Sequence, residues 1–174
     1  MEELTACEGT VHSVIFQNAE NGYTVLRLLT EEGEVVTVVG CIPCVAPGEH
    51  LSAVGTMETH PQHGEQLRAV ELERSLPEDE EEIASYLGSG VVKGVGPATA
   101  RRIVDRFGTE TLDILEREPE RLSLIKGITE RKAMEIAESF RHHMGLRRLM
   151  EFLARYQLPP VLAMQLRRQY GDCL

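Results

Sequence analysis

Along the first seventy-odd positions, apolar residues recur in short, partly alternating runs: Gly9–Phe16, Tyr23–Leu29, Val35–Val39, Leu51–Glu58 and Gln66–Leu72. Rich in Val, Leu, Ile and Thr and separated by turn residues, they predict five β-strands. Asn18-Ala19-Glu20-Asn21-Gly22 and Glu31-Glu32-Gly33-Glu34 suit hairpin connections, and Pro47-Gly48-Glu49 suits a turn before the fourth strand. Pro77 closes this region. From there the apolar period lengthens to that of a helix, with Ile83, Ala84, Tyr86 and Leu87 on one face and Gly88 and Gly90 as stops. The carboxylates at 78–82 favour the first turn of that helix and read as a solvated start. The pattern divides the chain into a barrel over 1–76, an acidic linker and helix start over 77–82, and helices over 83–174.

Five short strands with glycines near several starts fit a small closed barrel of the OB type, although an open antiparallel sheet packed on helices fits the same spacing. The expected fold class is α+β, a barrel followed by an all-α domain. Strand residues Phe16, Tyr23, Arg27 and Arg68 are the barrel's aromatics and cations for contacting a single strand. They stand among many carboxylates, so the barrel reads as a docking or packing module, with a local patch at Tyr23 and Arg27 left open.

The stretch Val92-Lys93-Gly94-Val95-Gly96-Pro97-Ala98-Thr99-Ala100-Arg101-Arg102-Ile103-Val104 carries the candidate chemistry. Its glycines allow a tight turn with outward N–H groups, and Pro97 suits the first helical position. Free amides at the positive end of a helix form an anion site, for which phosphate is the natural occupant. The pattern looks like a helix-hairpin-helix motif, which grips nucleic-acid backbone without reading sequence. A lone G-x-G equally fits an ordinary junction between two helices. Repetition changes that balance. A shift of 33 superposes Lys93-Gly94-Val95 on Lys126-Gly127-Ile128, Ala100 on Ala133, Ile103 on Ile136 and Phe107 on Phe140. A shift of 63 superposes Val95 on Leu158, Pro97 on Pro160, Ala100 on Ala163, Ile103 on Leu166 and Phe107-Gly108 on Tyr170-Gly171. Three repeats follow, over about 83–108, 109–141 and 142–174.

The copies differ. The first would hold phosphate through the amides of Gly96, Ala98 and Thr99 beside Gly94 and Val95, with Lys93, Arg101 and Arg102 adding charge and no carboxylate at its mouth. The second has Thr129 in place of the second glycine and Glu130 in place of the proline. Lys126, Arg131 and Lys132 partly offset that carboxylate, which makes Lys126, Gly127, Ile128, Thr129, Arg131 and Lys132 a secondary hairpin. The third, with Gln157, Leu158 and Pro159 at the turn, reads as structural. Ahead of it Leu146, Leu149, Met150, Leu153 and Tyr156 form a core stripe, with Arg147, Arg148 and Arg155 beside it, solvated or touching a strand.

Charge follows this division. The formal net charge is −10, yet residues 1–82 hold 3 Lys/Arg against 17 Asp/Glu, whereas 131–174 hold 8 against 4. An acidic module thus joins one able to meet an anionic partner. No apolar run approaches a membrane span, and Met1-Glu2-Glu3 is not a signal-peptide start, so a cytoplasmic protein with reduced Cys7, Cys41, Cys44 and Cys173 is expected. Cys41-x-x-Cys44 with His60-x-x-His63 has zinc-ligand residue types at a poor spacing, and no metal site is expected.

The whole resembles the N-terminal region of RecD-like DNA helicases of the long subfamily. The resemblance rests on Gly9-Thr10-Val11, Asn18 to Val25, His60-Pro61-x-x-Gly64-x-Gln66 and Tyr86-Leu87-x-Ser89-Gly90 leading into Lys93-Gly94-Val95-Gly96-Pro97. Phe107-Gly108 and Glu118-Pro119-Glu120-Arg121-Leu122 before Lys126-Gly127-Ile128 complete it. Thr129 and the glycine-free stretch around Pro159 depart from the pattern. The resemblance implies a parent superfamily 1 helicase moving 5′ to 3′ on single-stranded DNA with ATP and Mg2+, in a setting of repair or recombination. No G-x-x-x-x-G-K-[ST] and no catalytic constellation occurs in these residues, so no catalytic residue and no cofactor are assigned to them. The expectation is a fragment without its motor domains, gripping single-stranded or forked DNA without sequence specificity. A protein-docking scaffold is the alternative, and a nuclease accessory domain is the weaker one.

Overall fold

A computed structural model of the chain describes residues 3–18, 22–42, 44–62 and 64–155, with Leu162 and Gln165. Five strands form: β1 (Thr5–Gln17), β2 (Tyr23–Thr30), β3 (Val35–Cys41), β4 (His50–His60) and β5 (Gly64–Ser75). They close in the order β1-β2-β3-β5-β4, with β4 pairing back to β1, so the closed barrel forms and the open sheet does not. All pairings are antiparallel except β3 with β5. Inward residues Val11, Leu26, Leu28, Val38, Leu51, Ala53 and Leu67 fill the interior. The strands overrun the apolar runs by several residues, because ladder pairing continues where side chains have turned polar.

The helical region holds α1 (Glu80–Tyr86), α2 (Pro97–Phe107), α3 (Thr111–Arg117) and α4 (Glu130–Arg155). Asp79 caps α1, its carboxylate accepting the Glu82 N–H at 2.7 Å. The helix does not stop at Gly88. It widens over Leu87–Val91 and breaks at Gly90, where φ reaches +105°. One core collects Ile83, Tyr86 and Leu87 with the buried faces of α2, α3 and the first half of α4. α4 runs unbroken for 26 residues, so the repeat boundary at 141/142 falls inside one helix. The turn proposed at 157–159 and the helix after it lie outside the described residues. No helix among the described residues is long and apolar enough to cross a membrane.

Barrel and helices meet around one carboxylate. Glu49 is wholly buried; its Oε2 accepts the Ala46 N–H at 2.7 Å, and Arg74 reaches both oxygens at 3.0–3.2 Å. Arg147 of α4, 3 % exposed, ion-pairs with the same carboxylate. Arg147 is thus buried against the barrel rather than solvated. It lies on the buried side of α4, one turn before Met150. Leu146, Met150 and Leu153 pack there with Cys44 of the β3–β4 loop.

Candidate nucleic-acid interface

The first hairpin is built from buried anchors outward. Val92 and Val95 are buried, which leaves Lys93 and Gly94 to make the exposed turn between them. The Val95 N–H donates to the Val92 carbonyl at 3.3 Å, and Gly94 takes φ +87°, the region that glycine occupies without strain. Gly96 is extended (φ −94°, ψ −177°) and caps α2, its carbonyl accepting the Ala100 N–H at 2.9 Å. Glycine supplies no capping oxygen and α2 receives no side-chain cap. Pro97 has no N–H, and the amides of Ala98 and Thr99 have no carbonyl one turn earlier to bond. A Cβ added at Gly94 or Gly96 would meet nothing within 4 Å. Ala100, Ile103, Val104 and Phe107 bury the opposite face and hold the helix end in place.

The second hairpin repeats the frame. Gly127 takes φ +94°, the Ile128 N–H donates to Ile125 at 3.1 Å, and the Ala133 N–H donates to Thr129 at 2.9 Å. Ile125, Ile128, Ala133, Ile136 and Phe140 are buried as their counterparts are. The mouth differs. Thr129 Oγ1 accepts the Lys132 N–H at 3.1 Å, so the helix caps itself, and Glu130 stands exposed at its first position. Arg102 reaches this turn: a Cβ added at Gly127 would touch its guanidinium at 3.5 Å.

Side-chain charges depart from expectation. Arg101 pairs with Glu81 at 2.8 Å and Asp105 at 3.1 Å, which hold its guanidinium above the usual arginine range. The carboxylate run at 78–82 is therefore only partly a solvated helix start, since Glu82 also pairs with His50. Arg102 leaves the first hairpin and lies against the second. Lys93 and Gly94 line an open groove of about 520 Å³ with Glu135, Glu138, Ser139 and His142 of α4. The turn at Lys93 and Gly94 thus has two carboxylates of α4 across the groove from it. Lys126 is exposed, Lys132 is half-buried, and Arg131 pairs with Glu135 at 3.5 Å. The Lys93 N–H donates to Ser139 Oγ at 2.8 Å.

On the barrel, Phe16 and Tyr23 are 52 % and 43 % exposed, with ring centroids 6.4 Å apart. Cys44 packs toward α4 and His60 Nδ1 accepts the Gln62 N–H, while His63 lies outside the described residues. Among the described residues no group of three His, Cys, Asp or Glu side chains is placed to hold a metal. Sequence reasoning missed Ser139, Glu81 and the Glu49 cluster. Arg147 carried a signal, since it shares a helix face with Leu146 and Met150 and a buried cation needs a partner. Glu49, one acid among many, carried none.

Comparison with known proteins agrees with both halves. Residues 2–77 match the OB-fold domain of ATP-dependent DNA helicase YrrC, and residues 89–142 match the SAM-like helix-hairpin-helix tandem. The ATP-dependent RecD2 DNA helicase of Deinococcus radiodurans is 35 % identical over 149 residues, which cover 82 % of this chain and 21 % of that protein. The chain thus spans about a fifth of that relative's length.

Proposed function

We propose that this chain, whose barrel matches the OB-fold domain of a YrrC-type DNA helicase and whose helices match the helix-hairpin-helix tandem, is a non-catalytic DNA-binding accessory region of a RecD-like helicase. It grips the phosphate backbone at the first hairpin without reading bases, while ATP and Mg2+ act in motor domains elsewhere in such a protein. The observation that carries this reading is Gly96. Its φ demands no glycine and no neighbour excludes a side chain, yet the helix mouth is left uncapped and open. A backbone phosphate can approach there and accept from the amides of Gly96, Ala98 and Thr99, with Lys93 beside it. Contacts of this kind fix position and carry no sequence information.

Fluorescence anisotropy on single-stranded, duplex and forked DNA tests the reading. Affinity should fall with salt, with a slope of about −0.7 to −0.9 per phosphate engaged. Gly96→Glu should weaken binding at least about tenfold, because a carboxylate replaces the phosphate at the helix end. Gly96→Ala fits the open space and should stay within about twofold. Undiminished binding by Gly96→Glu would refute the grip. If the unmodified chain binds no DNA at low salt, the acidic barrel as a protein-docking module becomes the better account.

A further inference from the structure

We propose that Ser139 is a positioning residue for the first hairpin, and that neither hairpin is an independent module. The inference rests on the reading of the first hairpin as the DNA grip. A turn held only by its own Val95-to-Val92 bond at 3.3 Å is free to open, because glycine at 94 tolerates many backbone conformations. The structure supplies a brace from 46 residues away. Ser139 Oγ, in the first half of α4, accepts the Lys93 N–H at 2.8 Å and so fixes the peptide leading into Gly94. It is the one side chain seen bonded to the backbone of residues 92–96 among the described residues.

The arrangement is reciprocal. Turn one is completed by α4 of the second copy through Ser139, and turn two is flanked by α2 of the first copy through Arg102, set 3.5 Å from the missing Cβ of Gly127. Ser139 has a secure base. Its neighbour Phe140 is buried in the helical core, and Arg147 two turns later is tied to Glu49 in the barrel. The hydroxyl is therefore delivered by a helix anchored in both the helical core and the barrel, and it sets the direction of the amides that follow Lys93 in the turn.

The test compares Ser139→Ala, Ser139→Thr and Gly96→Glu with the parent 174-residue chain. Alanine is the better helix former, which offsets part of the lost hydrogen bond, so Ser139→Ala should shift the melting temperature by no more than a few degrees. Loss of one neutral hydrogen bond should still weaken DNA binding about three- to tenfold, with the salt slope unchanged because no charge is removed. Amide exchange at Lys93, followed by NMR, should accelerate in Ser139→Ala, and Ser139→Thr should restore both affinity and protection. Unchanged affinity in Ser139→Ala, beside a loss in Gly96→Glu, overturns the positioning role and leaves the grip standing. Unchanged affinity in both overturns the grip and this inference with it.

Discussion

The two hairpins share one buried frame and differ where a ligand would meet them. Each is a positive-φ glycine between two buried aliphatics, followed by a helix whose fourth residue past the cap is a fully buried alanine. At the first mouth Gly96 leaves the amides unspent. At the second the Thr129 hydroxyl turns back onto the Lys132 amide. Charge crosses the other way: Arg102 lies at the second turn, while Glu135, its equivalent in the repeat, lines the groove beside the first. Turn geometry and readiness for a ligand are therefore separable. Buried residues set the turn, and one exposed residue decides whether the helix end is satisfied from within.

Glu49→Gln tests most severely whether both turns sit on one rigid scaffold. It leaves Arg74 and Arg147 without their buried countercharge, at an expected cost of about 3–5 kcal/mol. A urea titration followed by circular dichroism should show the lowered midpoint, while DNA affinity in the absence of urea stays within about twofold. A large affinity loss in a chain that is still folded would mean that the barrel, and not the local mouth chemistry, imposes the difference between the hairpins.

Exchanging the mouths gives a smaller and more pointed effect. Gly96→Thr lets the first helix cap itself as the second does, which should weaken DNA binding about three- to tenfold by spending one amide. The same change should stabilise the fold by a few tenths of a kcal/mol, since threonine is at least as good a cap as glycine. Thr129→Gly should reverse both signs with a smaller gain in affinity, because Glu130 remains at that mouth. Anisotropy and thermal melts on the two variants decide it. Two variants that shift affinity in the same direction would place the asymmetry somewhere other than the caps.

Periodicity made the frame legible. Residues 33 apart proved equally buried, because burial of Val95 or Ile128 is a local consequence of helix and turn geometry. The strands were legible for the same reason. What crossed between segments was not. Glu81 reaching Arg101, Arg102 reaching Gly127 and Ser139 reaching Lys93 depend on how helices pack, and exposed polar side chains carry no period from which that packing could be read. The Glu49–Arg147 pair spans 98 residues, and its acid was indistinguishable in sequence from its sixteen acidic companions in residues 1–82.

A third helix end sharpens the contrast at the smallest scale. α1 is capped by a carboxylate: Asp79 accepts the Glu82 amide, and its bonds to that residue hold its pKa below the usual aspartate range. A group whose pKa is depressed by folding stabilises above its unfolded pKa, and that contribution is lost as pH falls through the folded value. Asp79→Ser keeps a capping oxygen that does not titrate. The stability difference between parent and Asp79→Ser should therefore hold steady above the ordinary aspartate range and shift against the parent on further acidification. The shift should stay under about 1 kcal/mol for an exposed cap. Gly96→Ser adds an uncharged cap to α2, so its difference from the parent should stay flat over the same range. A matching acid shift at Gly96→Ser would mean that the response does not come from the capping carboxylate of α1.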